Sequence, residues 1–416
     1  MIRHQYKTVL GDIPKDWEAR PLCALLRDQL PGDWGEEHGE ATLSVLRSTN
    51  FTDEGALDAS DAATRGFTVD KAQKIQVQQN DILLERSGGG PNQPVGRVAV
   101  VRDAMPATGF TNFVQLLRPE PDRIVPELLL WILHQFNRSG LVSRLQHQTT
   151  QMRNLELRDY LKVRLPVPFD PAEQERIAET LKAADDHIRA LEDQIRKAEQ
   201  VKRAVLQSYP SVPKHGHGVP LFRRAEISAG FTKGRDLAGC ETMKVAYLTV
   251  VNVLDGALDL RDVSETDIKT AELEGLRLLP GDVLMTEGGD RDKLGRGCIW
   301  QGQIKPIVCQ NQIFRVRPDS NRLRPWFLHY LLQTPNAKRH FFSAAKQTSN
   351  LCTINSRDLR RFQLPDIGTP AQDSWIKRVQ STDQLISALQ TQTTAGRRVK
   401  RSLLQNLLTG RIRLKP

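Results

Sequence analysis

Asp282, Glu287, Asp290 and Asp292 crowd one short stretch of the chain. Clustered carboxylates are what a hydrolytic magnesium site needs, because a hard divalent cation takes oxygen ligands. The stretch has no Glu-x-Lys arrangement, and the corresponding stretch nearer the N-terminus keeps only Asp81 and Glu85. A standalone magnesium-dependent nuclease is therefore the enzyme alternative rather than the main expectation. Gly88-Gly89-Gly90 with Gly96 does not open a helix after a strand, so it reads as a loop near nucleic acid and not as a phosphate cradle. His215-Gly216-His217 lies among Pro213, Gly218 and Pro220, the setting of a linker rather than of a metal site. No HExxH, Walker lysine loop or Asn-Pro-Pro-Tyr-type motif occurs. The expectation is a chain with no catalytic residues, no metal and no cofactor of its own.

Reading DNA calls for other residue types: Arg and Lys forks, Asn and Gln amides and hydroxyls on loops, matched to guanine and adenine edges. Such segments occur in both halves. The first half offers Arg86, Ser87, Asn92 and Gln93, then Gln148, Thr149, Gln151, Arg153 and Asn154. The second offers Arg291, Lys293 and Arg296, then Lys346, Gln347, Ser349 and Asn350. Segments carry the expectation better than single residues, since most polar contacts to a duplex go to phosphate and sugar. The net charge of +10 favours a polyanionic partner. Seven of the cations responsible (Arg397, Arg398, Lys400, Arg401, Arg411, Arg413, Lys415) follow Asp383, the last acidic residue. They suit either a solvated helix end or a phosphate or partner contact.

The elements that must hold these loops are written twice. Gly55-Ala56-Leu57-Asp58 returns as Gly256-Ala257-Leu258-Asp259, and Asn80-Asp81-Ile82-Leu83 as Gly281-Asp282-Val283-Leu284, both shifted by 201. Leu117-Arg118-Pro119 answers to Val316-Arg317-Pro318 and Leu165-Pro166 to Leu364-Pro365, shifted by 199. Two copies of one binding unit imply two similar sites related by an approximate twofold axis. Each half is a mixed segment followed by a helical one. The mixed segments contain short β-type runs between Gly, Pro and Asp clusters, and one helix each from Pro126 and from Pro325.

The first long helix starts with Asp170 as cap, Pro171 at the first helical position and Glu173 closing a capping box. Thr369, Pro370 and Gln372 fill the same roles in the second. Ile177, Leu181, Ala184, Ile188, Leu191, Ile195, Ala198 and Val205 follow alternating steps of four and three, a coiled-coil seam broken only at Lys202. Val379, Ile386 and Leu389 continue the stripe in the second helix, where Thr382, Thr393 and Gly396 interrupt it. A narrow apolar stripe cannot be buried by one helix alone, so the two helices are expected to pack together, antiparallel.

Composition sets outer bounds. A hydrophobic fraction of 39% with 26% charged residues is ordinary for a globular chain, and 416 residues exceed what one core usually supports. Five cysteines without a CxxC pair predict neither a disulfide framework nor a zinc knuckle. The longest apolar run is too short for a bilayer, and a cytoplasmic location is expected.

With Gly11, Ile13-Pro14 and Trp17 at the start, the two Asp-Ile-Leu and Asp-Val-Leu turns, Gln174-Glu175-Arg176-Ile177-Ala178 with Leu181 and Asp185, and the ending Lys400-Arg401-Ser402-Leu403-Leu404-Gln405-Asn406-Leu407-Leu408-Thr409-Gly410-Arg411-Ile412-Arg413-Leu414, the chain resembles the DNA specificity (S) subunit of type I restriction-modification systems. The resemblance runs nearly end to end; the second half departs from it by having Val219-Pro220-Leu221 in place of an Ile-Pro-x-x-Trp opening. It implies an α+β architecture: two pseudo-twofold-related target recognition domains separated by two long helices packed as an antiparallel coiled coil. The boundaries expected are 1–168 for the first recognition domain, 169–210 for the first helical spacer, 211–367 for the second domain, and 368–416 for the second spacer with the basic end. It also implies a non-catalytic subunit that reads a bipartite, asymmetric DNA target and holds two methyltransferase and two motor-nuclease subunits. S-adenosylmethionine, ATP and magnesium would belong to those partners. The third reading is a repeat-built coiled-coil adaptor without a DNA role.

Overall fold

Strand Ile82–Glu85 is buried at every position, and in the computed structural model its alternating side chains feed two different cores. Ile82 and Leu84 join one, while Leu83 joins the other. That is the consequence of a strand's two-residue period inside a sheet covered on both faces. The structure describes residues 7–52, 54–89, 94–148, 152–208, 218–289, 295–344, 346–348 and 351–414. The chain divides into a first unit, Met1–Glu192 with Thr391–Pro416, and a second, Asp193–Gln390. Both units therefore contain part of each long helix.

In the first unit an antiparallel sheet runs in the order Leu26–Pro31, Val114–Pro119, Ile82–Glu85, Val98–Val100. One face packs on helix Pro126–Arg138, which buries Leu128 through Leu133 and Phe136. The other faces a three-stranded sheet in which Ala41–Leu46 pairs parallel with Thr108–Phe110 and antiparallel with Ala63–Phe67. Trp17–Pro21 pairs with Arg164–Pro168, which brings the start of the chain to the start of the first long helix.

The second unit repeats this plan. Its four-stranded sheet runs Ala225–Ala229, Ile313–Pro318, Val283–Thr286, Gly297–Ile299, and Val283 and Met285 enter one core while Leu284 enters another. Val219–Pro220 pairs with Gln363–Leu364 as Arg20–Pro21 pairs with Leu165 and Arg164, so Val219-Pro220-Leu221 answers to the end of the first unit's opening strand. The paired loops behind the repeated Gly-Ala-Leu-Asp are alike in detail. Gly55 and Gly256 hold φ of 80° and 84°, values only glycine adopts freely. Asn50 Nδ2 donates to the Asp58 carbonyl (2.8 Å) and Asn252 Nδ2 to that of Asp259 (2.9 Å).

The long helices are Pro171–Gln207 and Thr369–Leu407. In the first unit Ile177, Ala178 and Leu181 share a core with Leu404, Leu407 and Leu408, and Arg397 Nη2 reaches Glu192 at 2.7 Å. In the second, Lys202 Nζ meets Asp383 at 2.7 Å and Trp375 Nε1 donates to the Val205 carbonyl at 3.2 Å. Within each unit the partner numbers run in opposite senses, so the helix segments pack antiparallel. Ile188, Leu191, Val379 and Leu389 are buried, whereas Ile195 and Ile386 are only half-buried. The break at Lys202 has a cause: Lys202–Asp383 in the second unit matches Asp185–Lys400 in the first, each residue shifted by 198 and the roles of the two helices exchanged.

The expected capping boxes are corrected. Asp170 Oδ1 accepts from the Ala172 N–H (3.0 Å), but the Glu173 carboxylate turns to Arg413 (2.5 Å) and Trp17 Nε1 (3.3 Å) instead of its own helix end. The second helix begins at Thr369, with the Gly368 carbonyl accepting from Ala371 and Gln372. Gln372 matches Gln174 rather than Glu173. Gln174 Oε1 accepts from the Val125 N–H (3.0 Å) and Nε2 donates to the Pro168 carbonyl (3.0 Å). Gln372 Oε1 accepts from the Arg324 N–H (2.8 Å), and its Nε2 donates to the Arg322 and Ile367 carbonyls. Val125 and Arg324 are the cap residues of the two domain helices, Pro126–Arg138 and Pro325–Leu332.

Candidate nucleic-acid interface

In the first half the two polar segments, some sixty residues apart in the sequence, meet on one small sheet through Ser87 and through Gln148, Arg153 and Asn154, and the second half builds an equivalent sheet. In the first unit Ser87–Gly89, Arg153–Leu155 and Gln146–Gln148 form three antiparallel strands, with Asn154 opposite Ser87 and Arg153 opposite Gly89. In the second, Gly288–Gly289, Leu351–Thr353 and Lys346–Thr348 do the same. The frame is anchored identically: the Leu155 N–H donates to the Arg86 carbonyl and the Ile354 N–H to the Glu287 carbonyl, both at 2.8 Å.

Arg86, Arg153 and Asn154 are half-buried on or beside this sheet, and Arg296 is half-buried before strand Gly297–Ile299. Ser87, expected on a solvent-facing loop, is 9% exposed, because it lies in a strand whose backbone is pinned by the Phe113 carbonyl. Gln148, Lys346 and Gln347 lie in strands of the sheets. Asn92, Gln93, Thr149, Gln151, Arg291, Lys293, Ser349 and Asn350 lie outside the described residues, as do Asp290, Asp292 and His215-Gly216-His217.

A turn that the sequence reading passed over borders each sheet. Thr111–Val114 is closed by the Val114 N–H on the Thr111 carbonyl, and 310–313 by the Ile313 N–H on the Gln310 carbonyl, both at 2.9 Å. Asn112 and Asn311 at the same shift of 199 were the one signal for it in the sequence.

Of the carboxylates that invited a metal site, Asp81 and Asp282 are already occupied. Asp81 is buried and accepts from Arg118 Nε and Nη2 at 2.7 Å each, and from the Gln78 N–H at 2.7 Å. Asp282 is buried in the same way by Arg317 (2.7 and 2.8 Å) and the Leu279 N–H (2.8 Å). A bidentate guanidinium neutralises each carboxylate and takes the lone pairs a cation would need. No group of three or more His, Cys, Asp or Glu able to hold a metal occurs among the described residues. The buried thiols Cys298 and Cys309 are pushed up to about 12 by burial, so they are packing groups rather than nucleophiles.

The basic end is partly spent internally. Arg413 pairs with Asp16 (2.7 Å) and Glu173 (2.5 Å), Lys400 with Asp185, and Arg397 with Glu192. Arg176 Nε also donates to the Leu414 carbonyl at 2.9 Å, tying the last described residues to the first long helix. No helix among the described residues is long and apolar enough to cross a membrane.

No family model matches the chain. It is 22% identical to the type I restriction enzyme MjaVIII specificity subunit of Methanocaldococcus jannaschii, over 97% of this chain and 94% of that one. It is 24% identical to the MjaX specificity subunit of the same organism, over 40% of each chain, so that alignment spans well under half of that relative. Among solved structures, it is similar to the S subunit of a type I restriction-modification system from M. genitalium, with a TM-score of 0.57 and 16% identity over 95% of this chain and 96% of that one. A chain from a study of complex assembly and conformational transition in the type I restriction-modification system gives 0.56 and 14%, covering 96% and 100%. Along nearly its whole length the chain is thus similar in sequence to a type I restriction enzyme specificity subunit, and its fold is similar to that of a solved S subunit.

Proposed function

We propose that the chain is the DNA sequence-specificity subunit of a type I restriction-modification complex, with one unit reading each half of a bipartite, asymmetric duplex target. The observation that carries this is a small three-stranded sheet built twice on one backbone frame from unlike sequences. An identical frame keeps the mode of docking, and different side chains let the halves read different bases. The charge of +10 adds a salt-sensitive attraction for phosphates.

The chain's own work on this reading is to bind and orient. Modification and cleavage fall to partners: two methyltransferase subunits using S-adenosylmethionine and two motor-nuclease subunits using ATP and magnesium. The chain itself is non-catalytic, in keeping with Asp81 and Asp282 being locked to Arg118 and Arg317.

Mapping methylated bases in the host genome with and without this gene tests the proposal. One split motif should vanish with the gene. An unchanged set of methylated motifs would overturn the assignment.

A further inference from the structure

Between the two units the turn before the second sheet strand has the same backbone and a different tip. Thr111–Val114 is held from one side by the Gly32 N–H on the Val114 carbonyl (3.3 Å) and from the other by the Arg86 N–H on the Phe113 carbonyl (2.9 Å). Its counterpart is held by the Gly230 N–H on the Ile313 carbonyl (3.3 Å) and the Glu287 N–H on the Gln312 carbonyl (2.9 Å). Arg86 and Glu287 are the residues from which the candidate reading strands depart, so each turn abuts the polar sheet of its own unit. The glycines are required for this approach: a Cβ on Gly32 would come within 2.1 Å of the Thr111 carbonyl oxygen, and one on Gly230 within 1.9 Å of that of Cys309.

On this rigid frame Phe113 is 40% exposed, unusual for a phenylalanine with two cores close by, and Gln312 is exposed at the matching place. Asn112 precedes one and Asn311 the other. A turn fixed on both sides with a side chain facing out is the pre-organised form a recognition contact needs. An exposed phenyl ring suits the thymine methyl in the major groove, and a glutamine amide suits the paired N6 donor and N7 acceptor of adenine.

We propose that Phe113 and Gln312 are specificity-determining residues, Phe113 reading a thymine in one half-site through its methyl and Gln312 reading an adenine in the other. This rests on the proposed function above and adds to it a reading element and the base each copy takes.

The test replaces the gene in its host with alleles carrying Phe113→Ala, Phe113→Gln or Gln312→Ala, and maps the methylated motif. Wild type must first give a split motif; if it does not, the proposed function fails before this inference is reached. Given that motif, Phe113→Ala should relax the preference for thymine at one position by roughly fourfold, the worth of one buried methyl group. Gln312→Ala should relax adenine at one position of the other half-site by on the order of tenfold to a hundredfold, the worth of a bidentate amide contact. Phe113→Gln should shift the preference at its position towards adenine and also guards against a folding failure in the alanine variant. Motifs unchanged in the alanine variants, relaxation of both in the same half-site, or Phe113→Gln keeping the original motif while Phe113→Ala abolishes methylation would each overturn the inference.

Discussion

At the scale of single residues, the most demanding feature of each unit is a charged pair set beside a histidine and a tryptophan. In the first unit Lys400 pairs with the buried Asp185, its ammonium lies 4.5 Å from the Trp131 ring, and Trp131 stacks edge-on to His134. In the second, Lys202 pairs with Asp383, Tyr330 donates to Asp383 at 2.9 Å, and Trp326 stacks edge-on to His329. Removing one partner of such a pair strands the other charge, at a cost of about 3–5 kcal/mol where burial is deep. Burial, reinforced by Lys400 and Arg138 against the opposing pull of Asp185, lowers His134 to about 4; burial lowers His329 to about 4 as well, with Asp383 and Asp255 opposing and Lys202 assisting. Both rings are therefore neutral in the fold while the unfolded chain protonates near 6.5. The stabilisation is complete above that value, is lost as pH falls from about 6.5 to about 4, and costs no more below, roughly 3 kcal/mol for each ring. Wild type should lose more thermal stability between pH 7 and pH 5 than a His134→Gln, His329→Gln variant. Equal losses in the two would refute this account.

At the scale of elements, the recurrent joint is a glutamine on each long helix that caps a domain helix. Gln174 and Gln372 are buried, and each bonds backbone groups of two separate segments. Gln174→Ala leaves a part-buried N–H and a buried carbonyl without this partner, a loss of about 2 kcal/mol. The Val125 amide should then exchange with solvent much faster, as read by hydrogen exchange. Unaltered protection at Val125 would show that the helix start does not depend on this side chain. The long helices themselves were legible in the sequence because Asp170, Pro171 and the four-three stripe act within a few residues of one another. Glu173 was misread for the complementary reason: its partners, Arg413 and Trp17, are 240 and 156 residues away, beyond the reach of any local pattern. The reading loops were half legible. Their residue types were visible, but their convergence on one sheet depends on a register between Ser87 and Asn154 that no turn connects.

At the scale of the whole chain, both long helices start in one unit and end in the other, each unit holding the beginning of one and the end of its antiparallel partner. On the proposed function, their length enters the distance between half-sites. Adding seven residues to both, after Glu192 and after Gln390, keeps the apolar stripe in phase and adds roughly 10 Å at about 1.5 Å per residue. That equals about three base pairs at ~3.4 Å per step. The methylated motif of such a variant should keep both half-sites and gain a longer gap. An identical gap would exclude the helices as the ruler.

What the sequence by itself determined is the doubling, the element types and the two helices that need each other's apolar stripe. Those follow from spacing, cap chemistry and composition, which act over a few residues. Only the tertiary structure decided that Asp282 is consumed by Arg317, that Ser87 turns inward, and that Phe113 and Gln312 stand out at matching turns. Each of those outcomes hangs on which face of a strand a side chain takes and which distant strand lies beside it, and a one-residue change of register would reverse them all.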